Sequence, residues 1–190
     1  MKTTKIGFAM CGSFCTFQKA TEQLQRLTEA GYDVLPVMSQ TAYTSDTRFG
    51  DAADWIEKVE TLCGKKIITS VVTAEPIGPK KLVDVMVVCP CTGNTAAKLA
   101  NGITDTPVTM AVKSSLRNNI PVLLTMATND ALSGSAQNIG RLMNTKNIFF
   151  TPRGQEDSVK KPTSVIADFS RVLPAMEAAL RREQLQPLWC

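Results

Sequence analysis

The chain contains no histidine in its 190 residues. Histidine is the side chain whose unperturbed pKa lies near neutrality, so general acid–base catalysis at neutral pH has no obvious carrier here. Aromatic residues make up 6% of the chain, and no run of lysine or arginine is longer than two residues. A net charge of +4 with so few aromatic residues argues against nucleic-acid binding and is compatible with a small anionic substrate.

Long apolar runs are also absent, and the longest reach only the length of a strand, so no membrane-spanning segment is predicted. The six cysteines are irregularly spaced and include no Cys-x-x-Cys pair. With no histidine to complete a ligand set, neither a metal site nor a disulfide framework is predicted. The sequence does not open with a charged segment followed by an apolar one, and we therefore expect a cytoplasmic protein.

Short apolar runs alternate with amphipathic stretches, which predicts an α/β fold: a three-layer, Rossmann-like, open and mainly parallel sheet flanked by helices. Residues 1–152 form the predicted domain, and residues 153–190 form a mobile loop and a C-terminal helix packed on it. The predicted strands cover residues 5–10, 33–38, 67–72, 83–89, 121–126 and 148–150. The predicted helices cover residues 14–30, 52–62, 94–100, 107–116, a stretch after 134, and 164–182.

Several details of this prediction are specific enough to be tested. Residues 67–72 are expected to form an edge strand, and Pro90 is expected to end the strand before it. Residues 153–162 are charged and contain a glycine, which is typical of a mobile loop. The final helix, over residues 164–182, is expected to kink or break at Pro174. The helix after residue 134 is expected to bury Ile139, Leu142 and Met143.

The most informative stretch of the sequence runs from Pro90 to Asp105 and joins a β-branched apolar run to a small-residue turn and a helix start. Thr92, Asn94 and Thr95 can bring hydroxyl and amide groups, beside unpaired helix-start N–H groups, to the sheet edge where open α/β folds bind ligands. The alternative is an ordinary strand-to-helix turn with a Thr or Asn cap.

Gly12-Ser13 occupies the corresponding turn after the first strand, where a residue without a side chain lets a phosphate approach the helix start. A dinucleotide loop needs the pattern G-x-G-x-x-G, so a single phosphate monoester is the better fit. Ser39 and Thr41 follow the second strand and reach the same edge through a right-handed crossover. For Ser13 and Ser39, a simple helix cap or polar turn is the alternative interpretation.

Residues 90–105 resemble the signature Pro-Ala-Ser-Ala-Asn-Thr of the flavin-dependent cysteine decarboxylase superfamily and its continuation Ala-Lys-x-Ala-Asn-Gly-x-x-Asp. The resemblance covers almost all of residues 5–152. It implies a flavoprotein fold that holds FMN, with Asn94 as the residue that takes part in catalysis. The implied FMN-binding residues are Gly12, Ser13, Phe14, Ser39, Thr41, Cys91, Thr92, Asn94 and Thr95.

Some positions depart from the superfamily pattern. Cys91 and Gly93 stand where the signature has alanine. The decarboxylases carry a substrate motif Pro-x-Met-Asn after the fifth strand, and this chain retains only its asparagine, Asn129. Asn129 and Asp130 are candidates for substrate contact, or alternatively for capping the next helix. Because the decarboxylases use an active-site histidine, the chain is not expected to decarboxylate cysteine-terminated substrates.

Within the superfamily, the resemblance points to sporulation-associated oxidoreductase subunits that act with a separate NAD(P)-binding subunit. This implies FMN on the present chain, NADP on the partner subunit, a small anionic substrate and homo-oligomers built from trimers. The alternatives are an FMN-dependent decarboxylase or flavin prenyltransferase of the same superfamily, or a non-catalytic structural subunit that keeps the fold.

Overall fold

A computed structural model describes residues 3–190 of the chain. Its strands are β1 (Lys5–Met10), β2 (Asp33–Met38), β3 (Val85–Cys91), β4 (Val122–Thr128), β5 (Ile148–Phe150), β6 (Arg153–Asp157) and β7 (Lys161–Ala167). They form one sheet in the order β2-β1-β3-β4-β7-β6, and β5 also pairs with β4. The first five strands pair in parallel, whereas β7 joins β4 and β6 antiparallel. The predicted α/β class and mainly parallel sheet are confirmed.

Eight α-helices and three short 3-10 segments connect the strands within residues 3–190. The helices are α1 (Phe17–Glu29), α2 (Gln40–Thr44), α3 (Ala52–Cys63), α4 (Val71–Ala74), α5 (Gly93–Ala100), α6 (Pro107–Arg117), α7 (Ala136–Met143) and α8 (Val172–Leu180). No helix in this range is both long and apolar enough to cross a membrane.

The apolar side chains of the central strands alternate between two cores, one on each face of the sheet. In β1, Phe8 packs into the core beneath α1, α3 and α8, while Ala9 faces the core beneath α5, α6 and α7. In β3, Val87 and Val88 divide in the same way. Because these strands are buried on both faces, their sequences are continuous apolar runs. The sheet and the helices on its two faces form the predicted three layers.

Two strand predictions are wrong. The strand before Pro90 does not end there but continues to Cys91, with an irregularity in its pairing to β4 between Val88 and Cys91. Residues 67–72 do not form a strand: Ile68 makes a single bridge to Val37, and the chain then turns into α4. Only one residue of this β-branched run therefore pairs with the edge of the sheet. Ser70 then caps the start of α4.

The C-terminal prediction needs a larger correction. Residues 153–162 are not a loop, because β6 and β7 form an antiparallel hairpin that extends the sheet from the end of β4. The helix begins only at Val172, so Pro174 lies in its first turn. Backbone N–H groups in the first turn have no partner within the helix, so proline removes no helical hydrogen bond there and causes no kink. In α7, Ile139 and Leu142 are buried as predicted, but Met143 is 43% exposed.

Candidate functional site

The carboxyl ends of β1, β2 and β3 meet at one edge of the sheet, and each is followed by a turn and a helical segment. The Ser39 N–H donates to the Met10 carbonyl at 3.0 Å, which fastens the second turn to the first. A Cβ atom at Gly12 would lie 3.2 Å from Thr41 Cγ2, which is a tight contact, so the first two turns approach each other closely at this glycine. The predicted proximity of Gly12, Ser39 and Thr41 is therefore present in the structure.

The serines of the first two turns differ in what their hydroxyls do. Ser39 is 9% exposed, and its Oγ accepts from the Ala42 N–H at 3.2 Å, which caps α2. Ser13 precedes a short 3-10 helix, Phe14–Thr16, but its side chain makes no capping bond. The cap interpretation thus holds for Ser39, while the Ser13 hydroxyl remains available to a ligand.

The signature turn is joined to the first strand by a relay of side chains. Thr92 caps α5, since its Oγ1 accepts from the Thr95 N–H at 3.2 Å and donates to Thr95 Oγ1 at 3.1 Å. Thr95 Oγ1 in turn donates to the Cys11 sulphur at 3.2 Å. The relay fixes the orientation of the hydroxyls at this edge and leaves Asn94, in the first turn of α5, exposed to solvent.

The buried thiols near the site are protonated at neutral pH. Burial raises the pKa of Cys11 to about 11, with the Thr95 hydrogen bond opposing it, and burial also raises the pKa values of Cys89 and Cys91. A thiolate nucleophile is therefore not supplied here. Cys91, predicted to contact the cofactor, lies in the core with no exposed surface.

A cleft of about 320 Å³ opens between these turns. It brings together most of the predicted cofactor residues and adds four that the sequence analysis missed: Cys11, Gln40, Lys98 and Thr106. Lys98 lies one helical turn beyond Asn94, within the quoted signature, so its spacing could have indicated it. Its Nζ pairs with Asp105 at 2.8 Å. The lining residues are Cys11, Gly12, Ser39, Gln40, Thr41, Thr92, Asn94, Thr95, Lys98 and Thr106.

The remaining predicted residues lie elsewhere. Ser13 and Asn129 line a second, smaller cleft of about 50 Å³ between the first turn, the end of β4 and the β6–β7 hairpin. Phe14 packs against Phe17, with ring centroids 5.1 Å apart, at the edge of the core beneath α1. The predicted cofactor and substrate residues thus occupy two neighbouring clefts on either side of the Gly12-Ser13 turn.

An ion pair on the hairpin borders this second cleft. Lys161 Nζ lies 2.5 Å from Glu156 Oε1, and Ser164 Oγ donates to Glu156 Oε2 at 2.7 Å. These bonds lower the pKa of Glu156, so the carboxylate is an anion at neutral pH and is already neutralised by its neighbour. This ion pair was not predicted, because the charged sequence of the hairpin is typical of a loop.

Asp130 forms a network against the start of α5. Its carboxylate accepts from Thr128 Oγ1 at 2.6 Å and from Ser135 Oγ at 2.9 Å, and these bonds lower its pKa. A Cβ atom at Gly93 would lie 2.6 Å from both hydroxyl oxygens. Gly93 stands where the signature has alanine, and the absence of a side chain at this position leaves the space that the network occupies. The Asp130 side chain bonds these hydroxyls, and it does not cap α7.

We expect Gly93→Ala to destabilise the fold by about 2 kcal/mol in urea unfolding at neutral pH, because the new methyl group displaces hydroxyls held by Asp130. The lowered pKa of Asp130 means that the network stabilises the fold at neutral pH and loses this effect as pH falls through that pKa. On acidification, the free energy of unfolding of the Gly93→Ala variant should therefore fall less than that of the unmodified chain.

Gly134→Ala is the matched control, since its Cβ would make only an ordinary 3.4 Å contact with the same carboxylate. Equal stability of the Gly93→Ala and Gly134→Ala variants would contradict the proposed fit between Gly93 and the network.

Comparison with known proteins identifies relatives of the chain. The Flavoprotein family model matches residues 1–177. The dipicolinate synthase B subunit of Bacillus subtilis (strain 168) is 47% identical over 188 residues, which cover 99% of this chain and 94% of that protein. The crystal structure of the dipicolinate synthase B subunit from Bacillus halodurans C superposes with a TM-score of 0.91 at 43% identity and covers 100% of this chain and 98% of that one.

A more distant structure shares the fold. The dodecameric FMN-dependent Ubix-like decarboxylase from Escherichia coli O157:H7 has a TM-score of 0.62 at 24% identity and covers 74% of this chain and 76% of its own. The family match extends over the sheet, the three turns and most of α8. The chain therefore belongs to the Flavoprotein family.

Proposed function

We propose that the chain acts as the B subunit of a dipicolinate synthase, together with a separate NAD(P)-binding A subunit, in the mother-cell cytoplasm of a sporulating bacterium. The observation that carries the proposal is the 47% identity to the Bacillus subtilis protein, which runs through almost the whole of both chains. The match includes the signature turn and the hairpin that borders the second cleft, so both clefts lie within it.

FMN is the proposed ligand of the larger cleft. Among its lining residues there is no carboxylate, and Ser39, Thr41, Thr92 and Thr95 supply hydroxyls. Gly12 leaves space beside Thr41 that a Cβ atom would fill, as close approach of a phosphate requires. The single glycine gives no room for a pyrophosphate loop. Gly12, Ser39 and Thr41 would hold the phosphate, with Ser13 on the far side of the first turn, and Thr92, Asn94 and Thr95 would border the flavin ring.

Bound FMN would supply electron and hydride transfer at this edge of the sheet. The chain's own residues would bind and orient FMN and the substrate. The relay from Thr92 through Thr95 to Cys11 fixes the hydroxyls, and the exposed Asn94 amide can both donate to and accept from a substrate carbonyl or carboxylate. Proton transfer near neutral pH falls to the substrate or the partner, since the chain has no histidine and Glu156 is a paired anion.

Titration of the isolated, full-length chain tests the cofactor assignment. We expect saturable FMN binding, with flavin absorption in the visible spectrum of the complex, and no comparable binding of NADP. Tight NADP binding without FMN binding would overturn the assignment. A chain that takes up neither ligand would favour a purely structural role.

We also propose that the chain forms homo-oligomers. A cleft of about 270 Å³ between α5, α6 and α7 is lined mainly by apolar residues, among them Leu99, Leu116 and the exposed Ile103. Apolar surface of this kind is typical of contacts between subunits, and the Escherichia coli structure is dodecameric. Sedimentation equilibrium at micromolar concentration should show a trimer or a multiple of it; a monomer would contradict the proposal.

A further inference from the structure

Among residues 3–190, Arg153 is the largest side chain without any exposed surface, and it lies away from both clefts at the start of β6. Its guanidinium carbon is 4.5 Å from the ring centre of Phe150 and 4.4 Å from that of Trp189. Two aromatic rings therefore lie against the guanidinium. Its N–H groups point outward in the plane of the group, so any hydrogen-bond acceptor must lie at its edges.

Those edges carry almost no hydrogen bonds. Nη2 contacts the Met143 sulphur at 3.1 Å, while Nε and Nη1 have no partner among residues 3–190. The ion pairs found in this range involve other residues. Burial lowers the pKa of Arg153 to about 10, so the group is still a cation at neutral pH. A thioether is a weak acceptor, and a buried cation without an anion is costly, so the site lacks an acceptor of opposite charge.

A cavity of about 300 Å³ lies beside Arg153, and Arg153 itself is not among its lining residues. Two lining residues contact the guanidinium, Met143 through its sulphur and Phe150 through its ring, and the carbonyl of a third, Leu188, accepts from the Arg153 backbone N–H at 3.0 Å. Phe149 adds a further aromatic wall. Met143 is 43% exposed, so its side chain can leave the guanidinium edge without disturbing the core.

We propose that this cavity binds a small, flat carboxylate, whose carboxyl group displaces the Met143 sulphur and pairs with the edge of Arg153. A carboxylate in the plane of the guanidinium is the acceptor that this fork matches best. The apolar wall of Phe149 and Leu188 suits a planar hydrocarbon body beside the charged group. The site is separate from both clefts, and the inference does not rest on the proposed synthase function.

Isothermal titration of the full chain with benzoate and with benzamide, its neutral counterpart of the same shape, tests the site. We expect benzoate to bind at least about tenfold more tightly, because only the carboxylate forms a charge-assisted pair with the guanidinium. Arg153→Met should remove this preference. Equal binding of the two compounds, or an unchanged preference in the Arg153→Met variant, would overturn the proposal.

A second variant keeps the test decisive if Arg153→Met fails to fold. Met143→Ala removes the exposed side chain that covers the guanidinium edge, so benzoate should bind several-fold more tightly than to the unmodified chain. Leu132→Ala is the matched control, since Leu132 is 47% exposed and lies outside the cavity. Unchanged or weaker benzoate binding by the Met143→Ala variant would show that Met143 does not occupy the carboxylate position.

Discussion

Replacing Ser13 and Ser39 together by aspartate should weaken FMN binding by at least about a hundredfold while the fold remains intact. Aspartate caps a helix start as well as serine does, so the bond from the Ala42 N–H can be kept. The carboxylate added at position 39 would face the flavin phosphate, the one added at position 13 would lie on the other side of the first turn, and like charges brought together in a binding site cost several kcal/mol. Flavin fluorescence titration gives the affinity, and circular dichroism checks the fold.

The Ser13→Asn/Ser39→Asn double variant is the matched control, because asparagine has the shape and capping ability of aspartate without its charge. It should bind FMN far better than the aspartate variant. The single variants then locate the phosphate: Ser39 lines the larger cleft and Ser13 the smaller one. Affinity unchanged by the aspartate pair would mean that the phosphate lies elsewhere.

The second large effect concerns the partner subunit. With the proposed NAD(P)-binding A subunit and the product of dihydrodipicolinate synthesis supplied, the chain should accelerate dipicolinate formation, whereas alone it should turn over little. Asn94→Ala should abolish the acceleration, because it removes the exposed amide at the rim of the larger cleft. The complex should still assemble, since the variant changes one exposed side chain in the first turn of α5.

Gln40→Ala is a useful comparison, since Gln40 is an exposed amide that lines the same cleft from the second turn. Retained acceleration in that variant would show that the loss is particular to Asn94. If Asn94→Ala leaves the rate unchanged, the chain supports its partner without chemistry at this cleft. If the A subunit alone is as fast as the pair, the synthase assignment for this chain fails.

The parallel part of the fold was predicted well, because strands that are buried on both faces of a sheet have continuous apolar sequences. The runs at residues 5–10 and 33–38 coincide with β1 and β2, and the predicted helix over residues 107–116 begins at Pro107, as α6 does. The carboxyl ends of parallel strands must share one edge, which is why Gly12, Ser39 and Thr92 were expected together.

The C-terminal segment, residues 153–190, could not be predicted in this way. Ile166, Phe169, Leu173 and Met176 recur at helical spacing, yet Ile166 belongs to β7. A short apolar run is ambiguous between helix and strand, and the free edge at Ala127 and Thr128 of β4 decided the outcome through tertiary pairing. The Asp130 network and the Glu156–Lys161 pair were missed for the same reason, since each depends on contacts that only the folded chain creates.

The larger cleft has a thermodynamic consequence that follows from its assembly. Its walls come from turns after residues 10, 38 and 91, which approach one another only when β1, β2 and β3 have paired. An unfolded chain therefore has no comparable flavin site, and bound FMN would add directly to the free energy of unfolding. At free FMN about 100 times its Kd this addition is about 2.7 kcal/mol, so the melting temperature should rise steadily with FMN concentration.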